Sequence, residues 1–250
     1  MCEWQVYDWF LRPMVSLYAI RKACAKLAVQ LCPLDGVVSA VSNHLEPQRD
    51  LRLRATVYDL QARRLHEQSG AIEVAANSCA EAFALALSES VADSPVYFVK
   101  LELHDAAGEL LADNFYWLSP RLDDYEIVFH DDFRRFPANR PLAVPRQTPC
   151  LGELADLPPV ELAVEAGNRG AHISVTVANP TDQLAFFIRV RVVGDAGEEI
   201  LPVYWSDNYF SLLPGESKAL RAELPGGATG RRQVVVDGWN IVPATVDVEG

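Results

Sequence analysis

The hydrophobic pattern of the first thirty residues differs from that of the rest of the chain. Apolar side chains in PMVSLYAIRKACAKLA recur every three or four positions, at Met14, Leu17, Ile20, Cys24 and Leu27. This spacing predicts one amphipathic helix, with its proline suited to the first turn. Because no second helical pattern follows, the apolar stripe of this helix has no helical partner within the chain.

From Val29 onwards, short segments alternate between apolar and polar residues. Examples are RLRATVYD, PVYFVKLEL, HISVTVAN, FFIRVRVVG and RQVVVDGW. Turn residues separate such segments about every 8 to 12 residues, which is typical of antiparallel sandwiches. A chain of 250 residues has room for two sandwiches of roughly 100 residues each. The pattern therefore predicts an all-β fold with two β-sandwich domains preceded by one N-terminal α-helix.

A proline-rich stretch lies between the two series of predicted strands. It holds seven prolines within PRLDDYEIVFHDDFRRFPANRPLAVPRQTPCLGELADLPP, which begins at Pro120. Because proline lacks the N–H that a central strand needs, this stretch is expected to be a linker. The predicted division is a terminal helix in 1–28, sandwich 1 in 29–119, a linker in 120–158, sandwich 2 in 159–243 and a tail in 244–250.

The two predicted sandwiches share an internal repeat. VSNHLEPQRDLRLRATVYD, starting at residue 41, aligns with VANPTDQLAFFIRVRVVGD, starting at residue 177. In this register Asn43 pairs with Asn179, and Asp59 pairs with Asp195. The match indicates a duplicated domain.

Two further stretches are alike: DNFYWL, from Asp113, and DNYFSL, from Asp207. In the register of the repeat they are not equivalent, because the first falls at the end of its sandwich and the second in the middle. We therefore interpret the likeness as convergent. Asp and Asn serve bends where a side chain satisfies backbone groups, and alternating aromatic residues suit a half-buried strand.

Charge and composition exclude several partners. A net charge of −12, without clusters of lysine or arginine, argues against nucleic acid and an anionic membrane surface. The sequence has neither an apolar run of about 18 residues nor a signal-peptide pattern, so we expect no membrane span, and the compartment stays open. Five scattered cysteines without a CxxC pair indicate reduced, packed thiols rather than disulfides or a zinc site.

Specific segments resemble family 2 glycoside hydrolases of the β-mannosidase and exo-β-D-glucosaminidase branch. YDWFLRPMVSLYAIRKACAKLAVQL is similar to the last helix of their catalytic TIM barrel and the exit from it. VSNHLE resembles the start of the immunoglobulin-like domain that follows the barrel. AFFIRVRVVGDAGEEILPVYWSDNYFSLLPGES, with VDGWN, resembles their terminal immunoglobulin-like domain. The resemblance implies two immunoglobulin-like sandwiches after the last helix of a barrel that is missing here.

This resemblance implies a non-catalytic, structural C-terminal region of an enzyme that acts on β-mannosides or β-glucosaminides. The paired catalytic glutamates of the family lie on barrel strands that would precede residue 1, so we expect no hydrolysis by this chain alone. The expected partner is the catalytic barrel of the parent enzyme, and the helix is a candidate for self-association. The alternative is a stand-alone carbohydrate-binding or adhesion module with an oligosaccharide partner.

Trp205 is the candidate contact for a glycan, since aromatic rings stack on sugar faces. Strand alternation would place Trp205 and Tyr209 on one face and Phe210 on the other, so at least one face of this cluster is expected in the core, and core packing is favoured over sugar contact. No catalytic, cofactor-binding or metal-binding residue is predicted.

Other chemistry-bearing residues are interpreted as structural. The acidic and histidine group in the linker is expected to be a solvated loop; its members are Asp123, Asp124, His130, Asp131 and Asp132. GGATG, at residues 226–230, lacks the GK[ST] ending of a phosphate loop and is expected to be a hairpin. The dispersed histidines, for which no triad motif exists, are His44, His66, His104 and His172.

Overall fold

The structure is a computed structural model of the chain. It describes residues 6–87, 91, 93–121, 150–169, 172–224 and 230–248, and the backbone of 125–129 and 141–145. Within these residues, no helix has the length and apolar character needed to cross a membrane.

Helix α1 spans Val15–Ala23 and is shorter than the periodicity predicted. The chain turns after Cys24, and strand β1 (Leu27–Leu31) begins where the helical pattern was expected to continue. LAVQL also alternates with period two, which places Val29 and Leu31 in the core of the first sandwich. Pairing of β1 with its neighbouring strand therefore overrides the weak helical signal of this segment.

The strands of the first sandwich form two antiparallel sheets. They are β1, β2 (Val37–Ser42), β3 (Gln48–Tyr58), β4 (Arg64–Val74), β5 (Ser78–Ala84), β6 (Tyr97–His104) and β7 (Leu110–Leu118). One sheet has the order β1-β2-β5 and the other β4-β3-β6-β7. Alternate residues of β3, such as Leu53 and Val57, face the space between the sheets and are fully buried.

The second sandwich follows a short ribbon and a 3-10 helix. The ribbon pairs β8 (Tyr125–Phe129) with β9 (Pro141–Pro145), and the 3-10 helix spans Gly152–Asp156. The strands of the sandwich are β10 (Ala163–Arg169), β11 (His172–Ala178), β12 (Ala185–Val193), β13 (Tyr204–Trp205), β14 (Phe210–Leu212), β15 (Ser217–Glu223), β16 (Gln233–Asp237) and β17 (Ala244–Asp247). Strand β17 pairs with β16, so part of the expected tail belongs to a sheet.

The two sandwiches repeat the same strand order. The second has sheets β10-β11-β15-β13 and β14-β12-β16-β17, which match β1-β2-β5 and β4-β3-β6-β7 strand by strand, apart from the added β13. Asn43 follows β2, and Asn179 follows β11 at the corresponding point. The all-β prediction of two sandwiches preceded by a helix is confirmed, and the strand order agrees with the register of the internal repeat.

A third apolar cluster joins the two sandwiches. Phe98 of β6 contacts Phe186 of β12, with ring centroids 5.6 Å apart, and both side chains are buried. The backbone of β12 bulges between Ala185 and Ile188, and Phe187 adopts a left-handed conformation with φ of 57°. The bulge sends Phe186 towards the first sandwich while Ile188 faces its own core.

Helix α1 packs mainly on the second sandwich. Tyr18 is 6% exposed within the core of that sandwich, and Leu17 packs beside it. Met14 and Ile20 of the predicted apolar stripe are instead exposed. The second sandwich therefore covers a face of α1 that contains Tyr18 and Leu17, and of these two residues only Leu17 belongs to the predicted stripe. Cys24 and Cys79 are exposed rather than packed.

Candidate functional site

The two DN stretches meet in one cleft between the sandwiches. This inter-sandwich cleft has a volume of about 170 Å³. Helix α1, strands β6, β7, β12 and β15, and the segment 207–211 supply its walls. Its lining residues include Tyr18, Lys22, Lys100, Asp113, Phe115, Trp117, Phe187, Asp207, Tyr209, Phe210, Ser211 and Lys218.

Strand β7 builds the wall on the side of the first sandwich. Alternation along DNFYWL places Asp113, Phe115 and Trp117 on one face. Asn114 and Tyr116 lie on the other face, where both side chains hydrogen-bond to the backbone of β1. These bonds hold β7 in register against β1, so the cleft face of β7 has a defined position.

The segment 207–211 builds the opposite wall and is held by Asn208. Its Nδ2 donates to the carbonyl of Val190 and its Oδ1 accepts from the N–H of Val190, both at 2.8 Å. Asn208 is 5% exposed, so these bonds form away from water. Tyr209, the next residue, has a φ of 56°. For a bulky side chain this left-handed conformation costs about 1–3 kcal/mol and persists only where the surroundings enforce it.

Lysine–carboxylate pairs supply the charges of the cleft. Lys22 Nζ lies 2.9 Å from Asp113 Oδ2. Lys218 pairs with Asp207, and its ammonium group also lies 5.1 Å from the centre of the Phe210 ring. Among the residues that the structure describes around the cleft, each lysine is therefore matched by an acidic side chain.

Lys100 completes this charge pattern and links the two sandwiches. Its Nζ lies 3.0 Å from Glu102 Oε1 on its own strand and also contacts Glu216 of the second sandwich. Burial lowers the pKa of Lys100, and the two carboxylates raise it. The carboxylates have the larger combined effect, so the pKa lies above its ordinary value. The lysine therefore stays charged at neutral pH.

Asp113, on the β7 wall of the cleft, is suited to binding rather than acid catalysis. Burial would raise the pKa of Asp113, but the neighbouring lysines, above all Lys22, hold that pKa below its ordinary value. A general acid in glycoside hydrolysis needs a carboxyl with a raised pKa. Asp113 is ionised at neutral pH and can accept hydrogen bonds, but it carries no proton to donate.

Trp205, the glycan contact expected from the sequence, lies in the core of the second sandwich. It is 4% exposed, and its backbone carbonyl accepts a hydrogen bond of 2.7 Å from Arg21 Nη1 of helix α1. The buried indole offers no free face to a sugar. The expected alternation also fails here, because the chain crosses from one sheet to the other between β13 and β14, so Phe210 faces the core as well.

Two further candidate groups from the sequence fall outside the part of the chain that the structure describes. Asp123, Asp124 and residues 130–132 lie outside the described residues, as does most of the GGATG segment. In the part of the chain that the structure describes, no group of three or more His, Cys, Asp or Glu side chains is placed to hold a metal ion.

Two family models match the chain, one on each sandwich. The model described as "Mannosidase Ig/CBM-like domain" matches residues 37–121, and the model described as "Exo-beta-D-glucosaminidase Ig-fold domain" matches residues 144–241. The chain belongs to the immunoglobulin-like regions of the family 2 glycoside hydrolases. The resemblance noted in its sequence is therefore confirmed.

Relatives of family 2 cover almost all of the chain. The exo-β-D-glucosaminidase of Streptomyces avermitilis is 33% identical over 98% of this chain and 27% of that protein. The mannosylglycoprotein endo-β-mannosidase of Lilium longiflorum is 26% identical over 94% of this chain and 29% of that protein. The chain thus spans about a quarter of the length of the curated relatives it matches.

A solved structure shows the same fold. The exo-chitosanase of Amycolatopsis orientalis superimposes with a TM-score of 0.82 over 98% of this chain and 29% of that chain, at 24% sequence identity. By its family models and curated relatives, this family 2 chain corresponds to the immunoglobulin-like C-terminal region of these enzymes, which is an accessory part of their length. The inter-sandwich cleft was not predicted from the sequence, although the likeness of the two DN stretches was a signal that pointed to it.

Proposed function

We propose that this chain is the structural, non-catalytic region of a glycoside hydrolase that acts on β-mannosides or β-glucosaminides, and that it braces the catalytic barrel of that enzyme. The observation that carries the proposal is an exposed apolar surface around helix α1. Its members, with their exposed fractions, are Trp9 (90%), Phe10 (68%), Leu11 (54%), Ile20 (50%) and Met14 (40%). Large apolar side chains gathered on a surface mark an interaction site.

The segment that carries this surface is anchored to the second sandwich. Arg12 Nε donates to Glu199 Oε2 at 2.8 Å, and Asp8 Oδ1 accepts from the N–H groups of Phe10 and Arg12 at 2.9 Å. These bonds give the segment, and the exposed apolar surface that it carries, a defined orientation. The resemblance of this segment to the last barrel helix, and the relatives' additional length, support a barrel as its partner.

A hybrid enzyme tests this role. In the hybrid, this chain replaces the matching quarter of the Streptomyces avermitilis exo-β-D-glucosaminidase. We expect Phe10→Asp and Ile20→Asp to lower by several degrees the temperature at which the hybrid loses hydrolysis of an aryl β-glucosaminide, because a charge would enter the apolar contact. Leu34→Asp is the control, since Leu34 is 95% exposed in the turn between β1 and β2, beyond the end of β1 that lies away from α1.

The isolated chain supplies the second half of the test. Phe10→Asp and Ile20→Asp should leave its melting temperature nearly unchanged, because both residues are exposed in it. The isolated chain should also fail to hydrolyse aryl β-mannosides and aryl β-glucosaminides. Equal effects of the three substitutions in the hybrid would contradict the bracing role, and turnover by the isolated chain would contradict its non-catalytic nature.

A further inference from the structure

We propose that the inter-sandwich cleft binds one ring of a neutral pyranose oligosaccharide. The cleft lies where the two sandwiches and helix α1 meet, and interfaces between domains are preferred places for small-ligand sites. This inference is independent of the bracing role. The hybrid enzyme reports on the apolar surface around α1, whereas sugar titration reports on the cleft.

Aromatic rings in the cleft are fixed by one another. Trp117 meets Phe187 edge to face, with centroids 5.6 Å apart and planes at 82°, and Phe187 lies 5.6 Å from Tyr209. Trp117 remains 37% exposed. The C–H faces of a pyranose ring are apolar and pack on such aromatic faces. Because these rings are already packed, little side-chain freedom is lost when a ligand binds.

The backbone under these rings is also held in place. Phe187 and Tyr209 both have left-handed φ angles, of 57° and 56°. The Phe187 N–H donates to Ser211 Oγ at 3.2 Å, so the Ser211 hydroxyl keeps its own proton for another acceptor. Strained positions of this kind gather at ligand clamps, and here both strained residues line one cleft.

The charges of the cleft favour a neutral polyol. Lys22, Lys100 and Lys218 are each paired with a carboxylate, so an anionic or a cationic ligand would meet both signs of charge. A hydroxyl group both donates and accepts, and so it can bind a carboxylate oxygen and an ammonium group of the same pair. The polar groups of the cleft therefore match vicinal hydroxyls rather than a charged group.

The volume of the cleft suits a single sugar ring. It is about 170 Å³, several times the roughly 30 Å³ that one water occupies in the liquid. It is smaller than the roughly 300 Å³ lower limit of sites for drug-sized ligands. A cleft of this size is suited to one ring, so the proposal places one ring inside and the rest of the oligosaccharide outside.

Isothermal titration of the full chain tests the proposal, with β-1,4-mannohexaose as the neutral probe and the glucosamine hexamer as the cationic probe. We expect saturable binding of mannohexaose and weaker binding of the glucosamine hexamer. Absence of saturable heat with mannohexaose would overturn the proposal. Tighter binding of the glucosamine hexamer would overturn it as well, because the charge balance of the cleft would then not select the ligand.

Substitutions inside and outside the cleft test whether mannohexaose binds there. Trp117→Ala should weaken mannohexaose binding by about tenfold or more, since tryptophan is a common anchor of binding sites. Trp239→Ala is the matched control and should bind as the unchanged chain does, because Trp239 is 58% exposed outside the cleft. Circular dichroism checks that each variant folds. Equal binding by the two variants would overturn the proposal.

A second variant keeps the test valid if Trp117→Ala fails to fold. Asp113→Asn preserves the shape of the side chain but removes its charge, and should weaken binding by about tenfold through loss of a charge-assisted hydrogen bond. Unchanged affinity of a folded Asp113→Asn chain would place the sugar elsewhere.

Discussion

Asn179 cross-links two segments of the second sandwich through its side chain. Its Nδ2 donates to the carbonyls of Gln183, at 2.7 Å, and Leu212, at 3.0 Å. Its Oδ1 accepts from the N–H and the hydroxyl of Thr181. The residue is 1% exposed, so water cannot replace these hydrogen bonds. The turn after β11 therefore depends on one buried amide.

Replacement of Asn179 by alanine should cost about 3 kcal/mol of unfolding free energy, because two buried carbonyls lose their donor. Asn43→Ala is the control at the corresponding position of the first sandwich. Asn43 is exposed, and its Nδ2 donates to the carbonyl of Ala25 at 3.1 Å, so the cost should stay below about 1 kcal/mol. Urea denaturation measures both values. Similar losses of unfolding free energy at the two sites would contradict the expectation that burial of the amide determines the loss.

Single residues differ in how well their position and burial could be predicted from the sequence. The repeat predicted that Asn43 and Asn179 occupy corresponding turns, because the match depends on local order along the chain. The strand pattern favoured core packing for Trp205, and the structure buries it. The burial of Phe210 in the same core could not be predicted, since it follows from the crossing between sheets that separates β13 from β14. The meeting of Asp113 and Asp207 in one cleft could not be predicted from the sequence either, because it depends on how two separately folded sandwiches pack.

At the scale of elements, strands β12 and β16 are joined by a cluster of opposite charges. Asp237 of β16 accepts two hydrogen bonds from Arg189, its direct partner in the register, and one from Arg191. Burial would raise the pKa of Asp237, but the two guanidinium groups hold the pKa below its ordinary value. The side chain is 18% exposed, so solvent screens this pair only in part.

This cluster should make the second sandwich sensitive to acid. A carboxyl whose pKa is lower in the folded chain stabilises the fold above its unfolded pKa of about 3.9, and this stabilisation is lost as the pH falls through the folded value. The melting temperature should therefore fall as the pH drops below about 5 and should continue to fall through the lowered folded pKa. Asp237→Asn should be less stable at pH 7 and lose less on acidification.

Asp247→Asn is the control for this acid effect. Asp247 lies on the neighbouring strand β17 and pairs with Arg231, but both side chains are more than half exposed, so their ion pair contributes little. Its substitution should leave the acid dependence almost unchanged. If Asp237→Asn followed the same pH curve as the unchanged chain, the cluster would not be a source of acid sensitivity.

Elements were predicted well where one periodicity dominates and poorly where two compete. The strand predicted from FFIRVRVVG is β12, since its IRVRV segment alternates and has no competing helical pattern. The segment after Cys24 satisfies both a helical and an alternating pattern, and pairing with β2 decides in favour of a strand. Helix α1 likewise has two apolar faces, and the second sandwich covers the one that contains Tyr18.

At the scale of the whole molecule, the cluster around Phe186 makes the sandwiches one unit. Phe186 is 2% exposed and packs against Phe98 and Trp117 of the first sandwich, at centroid distances of 5.6 and 5.4 Å. The inner face of β6 is buried in the core of the first sandwich, and Phe98 on its other face is buried in this cluster. We expect the two sandwiches to unfold together, although each has its own core.

Two substitutions on β12 distinguish a residue that couples the unfolding of the two sandwiches from a residue that stabilises only its own sandwich. Phe186→Ala and Ile188→Ala each remove a large buried side chain and should each cost about 2–5 kcal/mol. Phe186 faces the first sandwich and Ile188 faces its own core. In calorimetry, Ile188→Ala should therefore keep one transition at a lower temperature, whereas Phe186→Ala should split the transition in two, because the sandwiches lose their shared contact. A single shifted transition for both variants would mean that the ion pairs and helix α1, rather than the aromatic cluster, couple the two halves.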